Sequence, residues 1–387
     1  MKAHYLVGLL VAAILLGALP GSGSAQSFVL PARQTFAPSG TMAVPWSLLN
    51  SAAGASAGGQ VRIIGGQTVF GSHRIDRPSK LTRSSLDGTV KIGAAPLAQT
   101  NFRAICYNVW LGSPATGAAN WAMNDRANAI RNYNWGDWDA IGLCEVWNTG
   151  AYNNHLRFLP GVAAAWNGFD LAGSVQHSGL VAFSRHPIFE VTPRGEFSVG
   201  AGADWFASKG WIRARVSKGG FGVWVFMTHA NADDGITWSE IYSTRVTQFN
   251  EIASDIKSIR DSAGRENDVF LLMGDLNVFG ENRSPGGPTF VNEYNRLATI
   301  FEQFNAMDLG RQFHPNAANL GEDAHTFSRN NTLTQYHYPG TTVEGSARLD
   351  YIIAISSKSG KVIMEPTKYE VIRPMAPTAF TDDGHTD

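Results

Sequence analysis

The sequence predicts an α/β (α+β) fold: a two-sheet β-sandwich flanked by helices. Two observations carry this expectation. Apolar runs of strand length recur from about residue 102 to the C-terminal region, and only a few amphipathic helical stretches fall between them. No internal repeat divides the chain.

The elements follow in order. Residues 26–100 are rich in Gly, Ala, Ser and Pro, with 52–59 reading as a linker and 61–64 and 89–92 as short strands. From residue 101 the pattern changes. Residues 102–109 predict a strand, 124–133 a helix, and 139–145 a strand that ends on an acidic residue. Further strands are predicted over 180–184, 211–216 and 223–228. The clearest helix follows, over about 240–260, because Phe249, Ile252, Ile256 and Ile259 share one face. Residues 269–273 read as a buried strand and 349–355 as another, with two weaker ones after it.

The start of the chain reads as an export signal. Lys2 gives a short positive region, Leu6 to Leu19 is an uncharged apolar run, and Pro20 with the small residues to Ala25 follows. That run is short for a membrane anchor. The expected organisation is a signal peptide over 1–25, an N-terminal extension over 26–100 and a catalytic domain over 101–387, in a secreted or periplasmic protein.

The composition, 44% hydrophobic and 16% charged, suits a large core rather than a disordered chain. The formal net charge of -1 supplies no global basic field for nucleic acid or an anionic membrane. Cys106 and Cys144 are the two cysteines. Strand alternation puts Cys106 on the face of Asn108 and turns Cys144 away from Glu145. Two buried free thiols are therefore favoured over one bridge.

The chemistry lies where polar residues end apolar runs. Asn108, Glu145, His229, the pair Asp275 and Asn277, and Asp350 all stand at such positions. One such residue usually marks no more than a strand's exit into solvent. Six of these chemical types together argue for a site. Glu145 is a hard oxygen ligand and Asn108 adds a neutral carbonyl oxygen, a pairing suited to Mg²⁺. Zinc is disfavoured, since no Cys or His cluster has ligand spacing and there is no His-Glu-x-x-His helix. A Gly-x-Ser-x-Gly elbow and a Gly-x-x-x-x-Gly-Lys loop are also missing, which leaves metal-assisted attack on phosphorus.

At these residues the sequence resembles a family. Tyr107-Asn108-Val109, Glu145, Ser178-Gly179-Leu180 with Ser184-Arg185-His186-Pro187-Ile188, Thr228-His229, Gly274-Asp275-Leu276-Asn277 and Arg348-Leu349-Asp350-Tyr351 resemble the ordered signature of the endonuclease/exonuclease/phosphatase superfamily. Asp204 to Lys209-Gly210, and the run from Thr228-His229 through Arg245 and Gln248, resemble segments of neutral sphingomyelinases. The resemblance implies a DNase I-like sandwich and a Mg²⁺-dependent phosphodiesterase. It also implies roles. Glu145 holds the metal with Asn108 beside it, His229 and Asn277 hydrogen-bond the phosphoryl oxygens, and Asp275 orients the attacking water. Asp350 orients a second histidine acting as general base.

That second histidine breaks the pattern. The family carries Ser-Asp-His before a last strand, whereas this chain ends Thr381-Asp382-Asp383-Gly384-His385-Thr386-Asp387. Either His385 is a degenerate base or the chain stops short of the motif, and the second is favoured because one cut removes base and strand together. The implied substrate is a phospholipid at a membrane surface, cleaved as sphingomyelin is to ceramide and phosphocholine. An exported nuclease and a catalytically impaired lipid-binding copy are the alternatives. Nucleic acid is the weaker partner, because Arg157, Arg185 and Lys209 are scattered in sequence. The sequence fixes no oligomeric state.

Overall fold

The computed structural model describes residues 61–62, 85–94, 98–112, 122–169, 176–192, 194–202, 204, 207–232, 237–279, 288–314, 325–327 and 347–372. In chain order its strands begin with β1 (Val61–Arg62), β2 (Ser85–Ala94), β3 (Ala98–Leu111), β4 (Ala140–Val146) and β5 (Ala164–Asn167). Next come β6 (Val181–Ser184), β7 (Ile188–Val191), β8 (Gly195–Glu196), β9 (Gly210–Lys218) and β10 (Phe221–His229). The last are β11 (Val269–Asp275), β12 (Met307–Asp308), β13 (Asp350–Ile355) and β14 (Val362–Ile372). The helices are α1 (Met123–Asn132), α2 (Thr149–Asn154), α3 (Trp238–Asp261), α4 (Pro288–Glu302) and α5 (Leu309–Phe313).

The strands form two sheets, ordered β1-β14-β2-β3-β4-β6-β5 and β12-β13-β11-β10-β9-β7, with β8 on β9. Each sheet carries a parallel pair at its centre, β3 with β4 in the first and β10 with β11 in the second. Parallel neighbours end at the same edge of a sheet, so these four strands deliver their terminal residues to one end of the sandwich. Asn108, Glu145, His229 and Asp275 lie in or beside those ends.

Alternation explains the layers. In β10, Val223, Val225 and Met227 point into the core between the sheets, with Leu271, Met273, Ile352 and Ala104. Trp224 and Phe226 point the other way, onto Phe249, Ile252 and Ile256 of α3 and Leu297 and Phe301 of α4. A strand buried on both faces reads as one continuous apolar run. The outer face of the first sheet packs Ile105, Ile141 and Phe183 against Ala127 and Ile130 of α1 and Ala151 of α2. Helix α3 begins two residues before its expected start, at a capping box in which Thr237 and Glu240 bond reciprocally.

Three sequence expectations need revision or completion. Ser85–Ala94, placed by the sequence within the N-terminal extension, is an interior strand between β14 and β3. After 349–355 the described residues hold one long strand, β14, where two weaker ones were expected. Cys106 and Cys144 are indeed free and buried, but they do not face apart. Both sit in the core between the sheets, because Glu145 takes a φ of 58° and breaks the alternation on which their separation was argued.

The far end of the sandwich is closed by charge. Asp139, just before β4, accepts from Lys218 of β9 at 2.7 and 2.8 Å and lies 2.6 Å from His186 Nε2. The Asp139–Lys218 pair therefore ties the two sheets together away from Asn108, Glu145, His229 and Asp275, and His186 braces the same carboxylate.

Candidate active site

The site is assembled from both sheets. Asn108 Nδ2 donates to Glu145 Oε1 at 2.7 Å and to Asp275 Oδ2 at 3.0 Å. The side-chain oxygen of Asn108, Oδ1, accepts from the Trp110 N–H at 3.1 Å. The sequence reading offered that oxygen to a cation. Asn108 here donates to two carboxylates, the amide nitrogen being the half of the side chain able to satisfy them. Glu145 Oε2 accepts from Trp147 Nε1 at 3.3 Å.

His229 Nε2 lies 3.9 Å from both Glu145 Oε1 and Asp275 Oδ2. The ligand atoms of Glu145, His229 and Asp275 all fall within 4.8 Å of one another. Asp275 Oδ1 accepts from the Asn277 N–H at 2.9 Å, and Asn277 Nδ2 donates to the Ala230 carbonyl at 3.0 Å. The loop after β11 is thereby pinned to the loop after β10. Gly274 makes this pairing possible: at a φ of 150°, a Cβ there would lie 1.9 Å from the Thr228 carbonyl oxygen.

Three residues here, Trp110, Glu145 and Asn277, have left-handed backbone, with φ of 44°, 58° and 53°. Each such conformation costs a non-glycine residue about 1–2 kcal/mol, so the surrounding contacts must fix it. At Glu145 the contacts are the bonds to Asn108 and Trp147. At Asn277 they are the bonds to Asp275 and Ala230.

The Asp204 to Lys209 segment, whose less favoured reading in sequence is a solvated surface pair, is buried against His229. Lys209 Nζ lies 2.6 Å from Asp204 Oδ2, 2.9 Å from the Ala230 carbonyl and 3.2 Å from His229 Nε2. An ammonium has only protons to give, so Nε2 accepts and the imidazole proton sits on Nδ1. Burial, followed by the charges of Lys209 and Arg245, holds His229 well below the usual histidine range, leaving it neutral. Arg245 is fully buried and bonds the Asn231 carbonyl at 2.7 Å and Glu293 at 2.8 Å, while Gln248 accepts from the Asn231 N–H. Helix α3 thus fixes the turn that follows His229.

Asp350 stands opposite Asp275 in the register of β13 and β11, fully buried, with Cys106 Sγ 3.9 Å from its Oδ1. Its backbone N–H donates to Thr326. Arg348, two residues earlier, clamps this strand start through a two-pronged pair with Asp308 at 2.8 and 2.9 Å. His385 lies outside the described residues.

Two contacts were missed in sequence. The Lys209–His229 contact spans twenty positions and leaves no local signal. Trp147 follows Glu145 by two positions, and a polar-tipped aromatic so close to a strand-ending acid was the signal available.

The donor set fits a hard divalent cation. Two buried carboxylates converge here, and burial pushes the Asp275 carboxyl up to about 6, against the bonds from Asn108 and Asn277 and the charges of Lys209 and Arg245. Glu145, His229 and Asp275 together offer two carboxylates and one imidazole nitrogen to such an ion.

Two sheets with parallel central pairs meeting at one carboxylate-rich end define a member of the endonuclease/exonuclease/phosphatase family. Residues 105–354 match that family, and the chain belongs to it. Within it the chain is similar to sphingomyelinase C of Leptospira interrogans, at 26% identity over 336 residues, 79% of this chain and 55% of that protein. The chain thus spans about half the length of that curated relative. Among solved structures it superposes on sphingomyelinase C from Streptomyces griseocarneus, with a TM-score of 0.52 and 20% identity, covering 70% of this chain and 97% of that one. It also superposes on a Staphylococcus aureus beta toxin variant with bound magnesium ions, with a TM-score of 0.51 and 18% identity, covering 69% and 97%. Both share the sandwich fold.

Proposed function

We propose that the chain is an exported, Mg²⁺-dependent phosphodiesterase that removes the head group of a phospholipid, converting sphingomyelin to ceramide and phosphocholine. The observation that carries this reading is the convergence of Asn108, Glu145, His229 and Asp275 at one end of the two parallel strand pairs. The lipid substrate is supported by the similarity to sphingomyelinase C and by the Asp204–Lys209 pair set against His229.

Glu145, with Asp275 facing it, would hold the cation, and Asn108 would fix the angle between the two carboxylates. When bound, Mg²⁺ supplies charge neutralisation at the phosphoryl oxygens and a water of lowered pKa. The remaining work falls to the protein. Asp275 orients the attacking water, whose oxygen adds to phosphorus as the bond from phosphorus to the lipid alkoxide breaks. The proton lost by water balances the one gained by the departing alcohol. Neutral His229 can exchange such a proton, and Lys209 provides fixed positive charge beside the phosphoryl group in a water-poor site. Asn277, held by Asp275 and Ala230, completes the wall. Positioning and electrostatics dominate, as phosphoryl transfer requires.

Phosphocholine release from sphingomyelin liposomes, with Mg²⁺ or with chelator, tests the proposal on the wild type and on Glu145→Ala. Mg²⁺-dependent release lost in the variant is the expected result. Cleavage of plasmid DNA with no phosphocholine release would overturn the lipid assignment in favour of a nuclease.

A further inference from the structure

Trp147 sits at the junction of the two halves of the site. Its indole Nε1 donates to Glu145 Oε2 at 3.3 Å, while Asn108 takes the other carboxylate oxygen at 2.7 Å. The ring centroid lies 6.4 Å from that of His229 and 6.1 Å from that of His177. Its backbone is tied on both sides: the Trp147 N–H donates to the Leu111 carbonyl, and the Trp147 carbonyl accepts from Gln176 Nε2. The ring face lies on Gly179, whose backbone has a φ of 69°. A Cβ at 179 would come within 2.8 Å of ring carbon Cε3. The preceding residue, Val146, donates its N–H to the Gly179 carbonyl.

We infer that Trp147 is a positioning residue for the cation site, holding the Glu145 carboxylate at one fixed rotation through its indole N–H. The inference rests on the reading of Glu145 as a cation-holding carboxylate. Two facts make the indole more than core filling. Glu145 has a left-handed backbone, so strand geometry does not aim its side chain and outside contacts must. An indole also carries one donor and no acceptor, so with its ring held against Gly179 the N–H has one direction of use. Asn108 and Trp147 together hold both carboxylate oxygens, one from β3 and the other from the residues that follow β4. Partners of this kind, one step removed from a metal, commonly change affinity by about 10–100-fold when lost.

Trp147→Phe keeps an aromatic face against Gly179 and removes the donor. Mg²⁺ titration calorimetry on the wild type, Trp147→Phe and Glu145→Ala, with thermal unfolding of each cation-free protein, tests the inference. The expected result is a dissociation constant about tenfold or more weaker in Trp147→Phe, at an unchanged melting temperature. A second measurement needs no substitution to remain folded. In the ¹⁵N–¹H spectrum of the wild type, the indole signal absent from Trp147→Phe should shift on Mg²⁺ addition, against a background of the other indoles among 11 tryptophans. Wild-type affinity in Trp147→Phe, or an indole signal indifferent to Mg²⁺, would overturn the role of Trp147 while leaving the cation site intact. A wild type that binds no Mg²⁺, or a Glu145→Ala variant that binds it unchanged, would overturn the cation reading and with it this inference.

Discussion

Asn108 and Asp275 belong to different sheets, and the 3.0 Å bond from Asn108 Nδ2 to Asp275 Oδ2 ties the sheets directly at the site. The same nitrogen holds Glu145. Substituting Asn108→Leu keeps the approximate volume and strips a donor from two buried carboxylates. A hydrogen bond to a charged group is worth about 1.5–3 kcal/mol, so a loss of about 3 kcal/mol in unfolding free energy is expected. Urea unfolding measures it, and phosphocholine release should fall below detection in the same variant. An unchanged midpoint would show that the tie bears no energy.

Lys209 and Asp204 form a buried pair, each less than a tenth exposed. Lys209→Met takes the ammonium away from Asp204, which keeps the Ala232 N–H, and breaking a buried pair from one side costs about 3–5 kcal/mol. Adding Asp204→Asn should restore much of that stability, because a buried pair replaced whole is often neutral. Activity should stay low in the double variant, since His229 loses its neighbour. Chemical denaturation beside a turnover assay separates the two effects. Full activity in the double variant would mean that Lys209 serves folding alone.

The pair Arg348–Asp308 sets a pH dependence. Burial raises the Asp308 carboxyl, but the charge of Arg348 and its two bonds outweigh that and hold the group below the usual carboxylate range. A carboxylate lowered on folding contributes stability that is present above its unfolded value, about 3.9, and lost as pH falls through the folded value. The stability gap between the wild type and Asp308→Asn should therefore be widest near neutrality and narrow below about pH 4. Unfolding free energies measured across pH would show a constant gap if the pair were electrostatically silent.

Gly274 tests the backbone argument. Gly274→Ala would put a methyl 1.9 Å from the Thr228 carbonyl oxygen, at a φ that L residues avoid. Strain and clash together should cost more than about 3 kcal/mol and separate the ends of β10 and β11. Thermal unfolding gives the cost. A melting temperature equal to that of the wild type would refute the close approach.

Much of the sandwich was legible because buried strands announce themselves as apolar runs: β10 and β11 are buried along their whole lengths. Strand β2 was not. Its sequence, Ser-Leu-Asp-Gly-Thr-Val-Lys-Ile-Gly-Ala, interrupts the apolar residues with charge and glycine. Asp87 is accommodated in that interior strand by Arg103 across the ladder, and β14, more than 250 positions away, completes its pairing. The residues of the carboxylate cluster were legible as strand-ending polar groups. Their atoms were not: which half of the Asn108 amide faces the carboxylates depends on Trp110 and on the left-handed turn at Glu145. The thiols show the same limit, since one residue off the extended backbone reversed an argument from alternation.

The division of the site between two sheets has a kinetic consequence. Neither sheet alone owns the carboxylate cluster: Asn108 and Glu145 arrive with one, His229 and Asp275 with the other. A refolding chain that has paired its strands but not yet docked its sheets holds the parts of a cation site without the site. Recovery of cation affinity would therefore time the docking event itself, arriving after the backbone signal of strand formation and together with burial of the core between the sheets.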